Sequence, residues 1–197
     1  MIRRRVETAV SKDQRLVLVN VSWEEYLAVR EATDHHPGLR MTYLDGMLEI
    51  VSPGERHETV KKMFARLLEL WALEKGIDIY PYGSTTYKEK RKKVGHEPDE
   101  CYTVGAKKPI PDFAFETVVT SGGIKKLKAY RRLGVTEVLF WKKGRFLLYR
   151  LFGKRYRAIE RSEFFPEFDL ALVASLIESP RPQIEILREF RDRIRSV

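Results

Sequence analysis

A carboxylate inside an apolar segment is the feature that most constrains how this chain can fold. Glu116 lies in the run 113–119 (FAFETVV), which has the β-branched and aromatic composition of a strand. Because strand side chains alternate between faces, Ala114 and Val118 share the face of Glu116. Burying a carboxylate is costly unless a cation, a proton or hydrogen bonds compensate. Either the core supplies such a partner, or 113–119 is an edge strand with Glu116 in solvent.

Size and charge limit the class of protein. With 197 residues and 43% hydrophobic content, residues 1–197 are expected to form a single domain whose core needs neither disulfides nor metal. Lys and Arg number 37 against 28 Asp and Glu, a net charge of +9. Such an excess favours a polyanionic partner, although a generally charged surface would give the same count.

Several classes of protein are excluded. No apolar run approaches the roughly 20 residues of a membrane helix, and no apolar segment of a signal peptide follows the basic start. We therefore expect no membrane partner and a cytoplasmic protein. Cys101 is the single cysteine, which rules out disulfide frameworks and cysteine-rich zinc sites.

The order of predicted elements indicates an α/β (α+β) fold, with a central mixed β-sheet flanked by helices. Predicted strands cover 15–21, 40–44, 47–51, 77–87, 100–104, 112–119, 135–141, 146–151 and 156–160. Predicted helices cover 23–32, 56–75, 123–133 and 168–177, and a last helix after Pro182 carries Ile184, Leu187, Phe190 and Ile194 on one face.

Two further acids lie in predicted strands. Asp99 opens a strand after Pro98, and Glu49 lies between Met47 and Val51 on its own face of a second strand. Carboxylates on neighbouring strands could converge with Glu116 on a divalent cation, and an all-oxygen site of this kind suits Mg²⁺ or Mn²⁺. Sequence spacing alone does not establish that convergence.

A lysine lies on the apolar face of the helix predicted at 123–133. At about 100° per residue, Lys126 projects between Tyr130 and Leu133, inside the apolar arc. Its side chain either extends past the helix edge to solvent or pairs with a buried acid. In the second case the ammonium would lie beside the acids, where phosphoryl chemistry needs positive charge.

Other polar residues have two interpretations each. His57 lies at the edge of its helix's apolar stripe and either contacts the site or is satisfied by the backbone, whereas Glu58 points away from the core. Asp112 either is an outer acid or starts a strand after Pro111.

The basic loop, residues 88–93, either is a solvated tip or grips phosphates through Lys88, Lys90, Arg91, Lys92 and Lys93.

The sequence resembles the Uma2 family (DUF820), a branch of the PD-(D/E)xK restriction-endonuclease-like superfamily. The resemblance covers residues 20–152 and rests on the following segments: 43–53 (YLDGMLEIVSP) with His57 and Glu58, 97–102 (EPDECY), 110–116 (IPDFAFE), 126–130 (KLKAY), and 133–138 (LGVTEV) with Trp141. It implies a restriction-endonuclease-like core at 20–152, with a C-terminal helical extension at 160–197.

The resemblance also implies a function, namely hydrolysis of DNA phosphodiester bonds with Mg²⁺ or Mn²⁺. Asp99 and Glu116 would be the metal ligands, with Glu49 assisting. The family's lysine is often displaced to the next helix, and this chain has Val118 at the usual position and Lys126 on the helix. A homodimer is expected by the same resemblance. The alternatives are a catalytically inactive nucleic-acid-binding module of the same fold and a structural homodimer.

Overall fold

The computed structural model describes residues 12–36, 38–118 and 126–196, so the predicted helix start at 123 and strand end at 119 lie outside the described residues. The strands are β1 (Gln14–Leu18), β2 (Arg40–Leu44), β3 (Met47–Ser52), β4 (Ile79–Pro81), β5 (Tyr87–Glu89), β6 (Val94–His96), β7 (Glu100–Val104), β8 (Phe113–Val118), β9 (Glu137–Lys142), β10 (Arg145–Phe152) and β11 (Arg155–Ile159). The helices are α1 (Trp23–Ala32), α2 (Glu55–Lys75), α3 (Leu127–Leu133), α4 (Leu170–Ile177) and α5 (Gln183–Arg195).

The α+β class is confirmed, and the strands within the described residues form two sheets. One sheet has the order β1-β3-β2-β6-β5 and is antiparallel throughout. The other has the order β11-β10-β9-β8-β7-β4 and is mixed, because β8 and β9 run parallel. None of the described helices is both long and apolar enough to span a membrane.

Two details of the prediction are wrong. The single strand expected at 77–87 is two short strands, β4 and β5, which lie in different sheets. Gly83 between them has a φ of 54°, a left-handed conformation that ends the strand. On α5, Ile184 is 55% exposed, and the buried face carries Ile186, Phe190 and Ile194.

The mixed sheet has an apolar core on each face. On one face Phe64 of α2 stacks on Phe115, in a cluster that also includes residues of α4 and α5. On the other face Ala114 and Val118 cluster with Tyr130 of α3. This second face is the one that carries Glu116, because Glu116 alternates with Phe115 along β8.

A tight contact between α1 and the antiparallel sheet gives the first testable prediction. The fully buried Tyr26 ring stacks on Tyr43 at 4.9 Å, and a Cβ at Gly95 would come within 2.6 Å of Tyr26 Cζ. We expect Gly95→Ala to lower the free energy of unfolding by about 1–3 kcal/mol through overpacking, measured by urea denaturation. Gly38→Ala is the matched control, because a Cβ there has nothing within 4 Å. Equal stability of the two variants would contradict this packing.

Candidate active site

Glu116 is fully buried and has three polar partners. It lies on β8, an inner strand between β7 and β9, so the edge-strand alternative is wrong. Lys126 Nζ donates to Oε2 at 2.6 Å, and His96 Nε2 lies 2.7 Å from Oε1. Tyr130 donates its hydroxyl to the same Oε1. Lys126 therefore pairs with a buried acid, as one of its two interpretations predicted.

The partners of Glu116 keep its carboxylate ionised. Burial alone would raise the pKa of Glu116, but the Lys126 ammonium and His96 outweigh burial and hold that pKa below its usual range. Burial would lower the pKa of Lys126, yet Glu116 and Asp99 raise it. Burial and the adjacent Glu116 carboxylate raise the pKa of Tyr130 well above its usual value. The cluster is thus an ammonium and a carboxylate beside a neutral phenol.

Asp99 lies beside Glu116. The antiparallel ladder pairs Glu100 with Phe115, and continuing that register places Asp99 opposite Glu116, on the same face. Asp99 is 3% exposed, and its Oδ2 accepts a 2.6 Å hydrogen bond from the Thr117 backbone N–H. Both carboxylates raise the pKa of Lys126.

His57 of α2 lies between Asp99 and a second acid, Asp13. Its Nε2 is 2.9 Å from Asp99 Oδ2, within ion-pair distance though not aligned as a hydrogen bond, and its Nδ1 is 3.2 Å from Asp13 Oδ2. Burial alone would lower the pKa of His57, but the two carboxylates outweigh it and raise that pKa to about 9. Of the two interpretations of His57, the structure favours contact with the site.

Glu49 lies at the periphery of this cluster. It is on β3, opposite Thr42 of β2, and it forms an ion pair with Arg15. The negative charge of Glu49 still raises the pKa of Lys126. Within the part of the chain that the structure describes, however, no three His, Cys, Asp or Glu side chains are grouped to hold a metal ion. The expected convergence of three carboxylates on one cation is therefore not seen among these residues.

Two other acids have local roles away from Glu116. Asp112 precedes β8 at the opposite end from Glu116, and its Oδ2 accepts from the Val104 backbone N–H at 2.8 Å and from Lys108 Nζ at 2.7 Å. Glu58 pairs with Lys61 on α2, and its side chain is 40% exposed. The structure does not bring either acid into the Glu116 cluster.

The basic loop begins within β5, which includes Lys88, and leads to β6. Lys88, Lys90, Arg91, Lys92 and Lys93 are all exposed. Lys90 pairs with Glu24 at 2.9 Å. His96 follows Lys93 by three positions, about 10 Å at strand rise, so the strand that delivers His96 to Glu116 begins at the basic loop.

Sequence reasoning missed three residues of the cluster. His96 comes from the antiparallel sheet and also contacts Thr42 through Nδ1 at 2.9 Å. Tyr130 was assigned only to the apolar arc of its helix, and Asp13 precedes the first strand. A signal existed only for Tyr130, which lies one helical turn after Lys126 and therefore on the same side of the helix.

The donor set has the chemistry of a divalent-cation site. Asp99 and Glu116 offer carboxylate oxygens, the ligands that Mg²⁺ and Mn²⁺ prefer. The contacts of Asp99 with the described residues run through Oδ2, and Lys126 holds Oε2 of Glu116. A cation bound by both acids would therefore compete with the Lys126 ammonium for Glu116.

A family model of known proteins matches the chain. The family model Uma2, described as "Putative restriction endonuclease", matches residues 23–178, which is more than half of the chain. The match begins with α1 and ends at the residue after α4, so it extends beyond residue 152, where the resemblance ends. No curated protein matches the chain.

Proposed function

The chain belongs to the Uma2 family, and from this premise we propose that it is a divalent-metal-dependent nuclease that hydrolyses phosphodiester bonds of DNA. The observation that carries the proposal is a lysine ammonium 2.6 Å from the buried Glu116 carboxylate, with a second buried carboxylate, Asp99, bonded to the backbone of the next residue, Thr117. The position of Asp99, Glu116 and Lys126 fits the acid–acid–lysine set implied by the family, with the lysine at the N-cap of α3.

Asp99 and Glu116 would hold Mg²⁺ or Mn²⁺, which lowers the pKa of a bound water and neutralises charge on the attacked phosphate. Lys126 orients the attacking water or stabilises the anion that develops on the phosphate oxygens. His96 and Tyr130 hold the Glu116 carboxylate in place through Oε1. Glu49 adds negative potential at Lys126 and helps to keep the ammonium charged.

The basic loop is proposed to grip the nucleic-acid backbone beside the site. Its five exposed cations lead directly into β6, and the chain has a net charge of +9. Contacts of this kind release counterions from DNA and make binding depend on salt. We include in the proposal the homodimer implied by the resemblance, since two copies would present one site to each strand of a duplex.

A second candidate function is a catalytically inactive nucleic-acid-binding protein. The observation that favours it is that both oxygens of Glu116 already have internal partners, Lys126 on one side and His96 with Tyr130 on the other. A site whose charges are satisfied within the protein has less reason to recruit a cation. The two candidates differ in metal binding and cleavage, whereas both bind DNA.

The test compares substitutions of two acids, Asp99 just before β7 and Asp112 just before β8. Asp99→Asn is expected to lower Mg²⁺-dependent DNA cleavage by at least about 100-fold, because it removes a carboxylate of the proposed metal pair. Asp112→Asn is the matched control, because that acid bonds only locally to Val104 and Lys108 among the described residues. Cleavage is followed on gels, and Mn²⁺ binding by calorimetry. Wild-type protein that binds DNA with a steep salt dependence, but neither binds Mn²⁺ nor cuts, would establish the second candidate instead.

A further inference from the structure

The chain just before β1 passes unusually close to the start of α2. A Cβ built at Gly54 would come within 2.7 Å of the Lys12 carbonyl carbon, so only glycine lets the two backbones approach this closely. At this crossing the Gly54 backbone N–H donates to Asp13 Oδ1 at 2.9 Å. The N-terminal segment is therefore fixed to the helix that carries His57.

Asp13 supplies what the start of α2 lacks. Gly54 is the N-cap residue and has no side chain with which to accept from the helix's free N–H groups. The Asp13 side chain, 5% exposed, places a carboxylate there, where the helix dipole favours negative charge. Burial alone would raise the pKa of Asp13, but the contact with His57 and the hydrogen bond from Gly54 outweigh it and lower that pKa.

The second oxygen of Asp13 faces His57. Asp13 Oδ2 is 3.2 Å from His57 Nδ1, and an ionised carboxylate can only accept, so Nδ1 carries a proton. This contact turns the opposite edge of the ring toward Asp99, with Nε2 2.9 Å from Oδ2. The side chains of Asp13, His57 and Asp99 are each at most 5% exposed, so water does not compete for these contacts.

We propose that Asp13 is a positioning residue of the nuclease site, acting through His57 on the orientation of Asp99. The inference rests on the proposed function for its catalytic consequence, whereas the contacts of His57 with Asp13 and with Asp99 stand on the geometry alone. Partners that orient a site carboxylate or imidazole typically change affinity or activity by roughly 10- to 100-fold when removed.

A purely structural role for Asp13 predicts something different. If Asp13 served only to cap α2, any residue that still accepts from Gly54 would suffice. Asp13→Asn separates the two roles, because its amide oxygen can still accept from the Gly54 N–H while its NH₂ group can no longer accept from His57 Nδ1. Asp34→Asn is the matched control, since Asp34 is an exposed acid on the turn after α1.

The first arm of the experiment measures cleavage kinetics. We expect Asp13→Asn and His57→Gln each to lower kcat by roughly 10- to 100-fold with little change in KM, and the double variant to be no slower than the slower single variant. Non-additivity of this kind indicates that one residue acts through the other. The inference would be overturned if Asp13→Asn cut DNA at the wild-type rate, or if the losses of kcat in the two single variants added up in the double variant.

The second arm does not need cleavage. The His57 Nδ1 proton, assigned by its absence in His57→Gln, is expected in the ¹⁵N-resolved imidazole spectrum of the wild-type protein and of Asp34→Asn. It is expected to be lost from Asp13→Asn. An unchanged signal in Asp13→Asn would overturn the positioning role even if the protein cuts DNA. If the signal is lost from Asp13→Asn but the wild-type protein cuts no DNA, the contact between Asp13 and His57 is supported and the proposed function is rejected.

Discussion

Glu116→Gln is expected to lower DNA cleavage by at least about 1,000-fold while leaving DNA affinity within about twofold, because phosphate contacts by surface cations dominate that affinity. Glutamine keeps the shape of the side chain and still accepts from Tyr130, but it leaves the Lys126 ammonium without its carboxylate, so cleavage is compared at temperatures where the variant is folded. It removes the negative charge that would hold a divalent cation together with Asp99. Cleavage of a supercoiled plasmid and salt-dependent DNA binding measure the two effects.

Glu137→Gln is the matched control for this prediction. Glu137 is also a fully buried glutamate of the mixed sheet, but its partners are Arg150 and Ser162, at 2.7 and 2.5 Å. That variant is expected to lose stability and to keep cleavage at temperatures where it is folded. Cleavage by Glu116→Gln at the wild-type rate would show that Glu116 is not part of a catalytic site.

Lys126→Met is expected to have the largest effect on stability, lowering the free energy of unfolding by about 3–5 kcal/mol near neutral pH. The substitution removes the ammonium 2.6 Å from Glu116 and leaves a fully buried carboxylate with His96 and Tyr130 alone. The same variant should cut DNA far more slowly. Lys128→Met, an exposed lysine of the same helix, is the control and should change stability by less than about 0.5 kcal/mol.

The effect of Lys126→Met should depend on pH in a defined direction. Since Lys126 and His96 lower the pKa of Glu116 in the folded state, their contribution is present above the ordinary value of 4.5 and is lost as pH falls below it. The stability difference between wild type and Lys126→Met should therefore narrow in acid. Combining Lys126→Met with Glu116→Gln should recover part of the loss. A difference that stays constant from pH 7 to pH 3 would contradict the ion pair.

The parts of the site that sequence predicted were those set by local periodicity. Alternation along 113–119 placed Glu116 on the face of Ala114 and Val118, and helical projection placed Lys126 on the buried side of α3. Both inferences needed only neighbours within one element. The capping box of Ser22 and Glu25 at the start of α1 is a contact of the same local kind.

The parts that sequence did not predict depend on contacts between elements distant along the chain. His96 reaches Glu116 from the other sheet, and Asp13 reaches His57 across 44 positions. The division into two sheets depends on where the strand predicted at 77–87 is interrupted. The interruption includes Gly83, and the composition of the surrounding segment is typical of a strand throughout. Periodicity carries no information on which strand a given element joins.

The bond between His96 and Glu116 joins the two sheets at the proposed reaction centre. The residues proposed for catalysis therefore also hold the two sheets together, and selection for folding alone would keep them. A descendant of this chain that stopped cutting nucleic acid would still require an acid at position 116 to satisfy His96, Lys126 and Tyr130. Such residues would outlast the activity, so finding them in a relative is weaker evidence of a working enzyme than finding them at a solvent-open site.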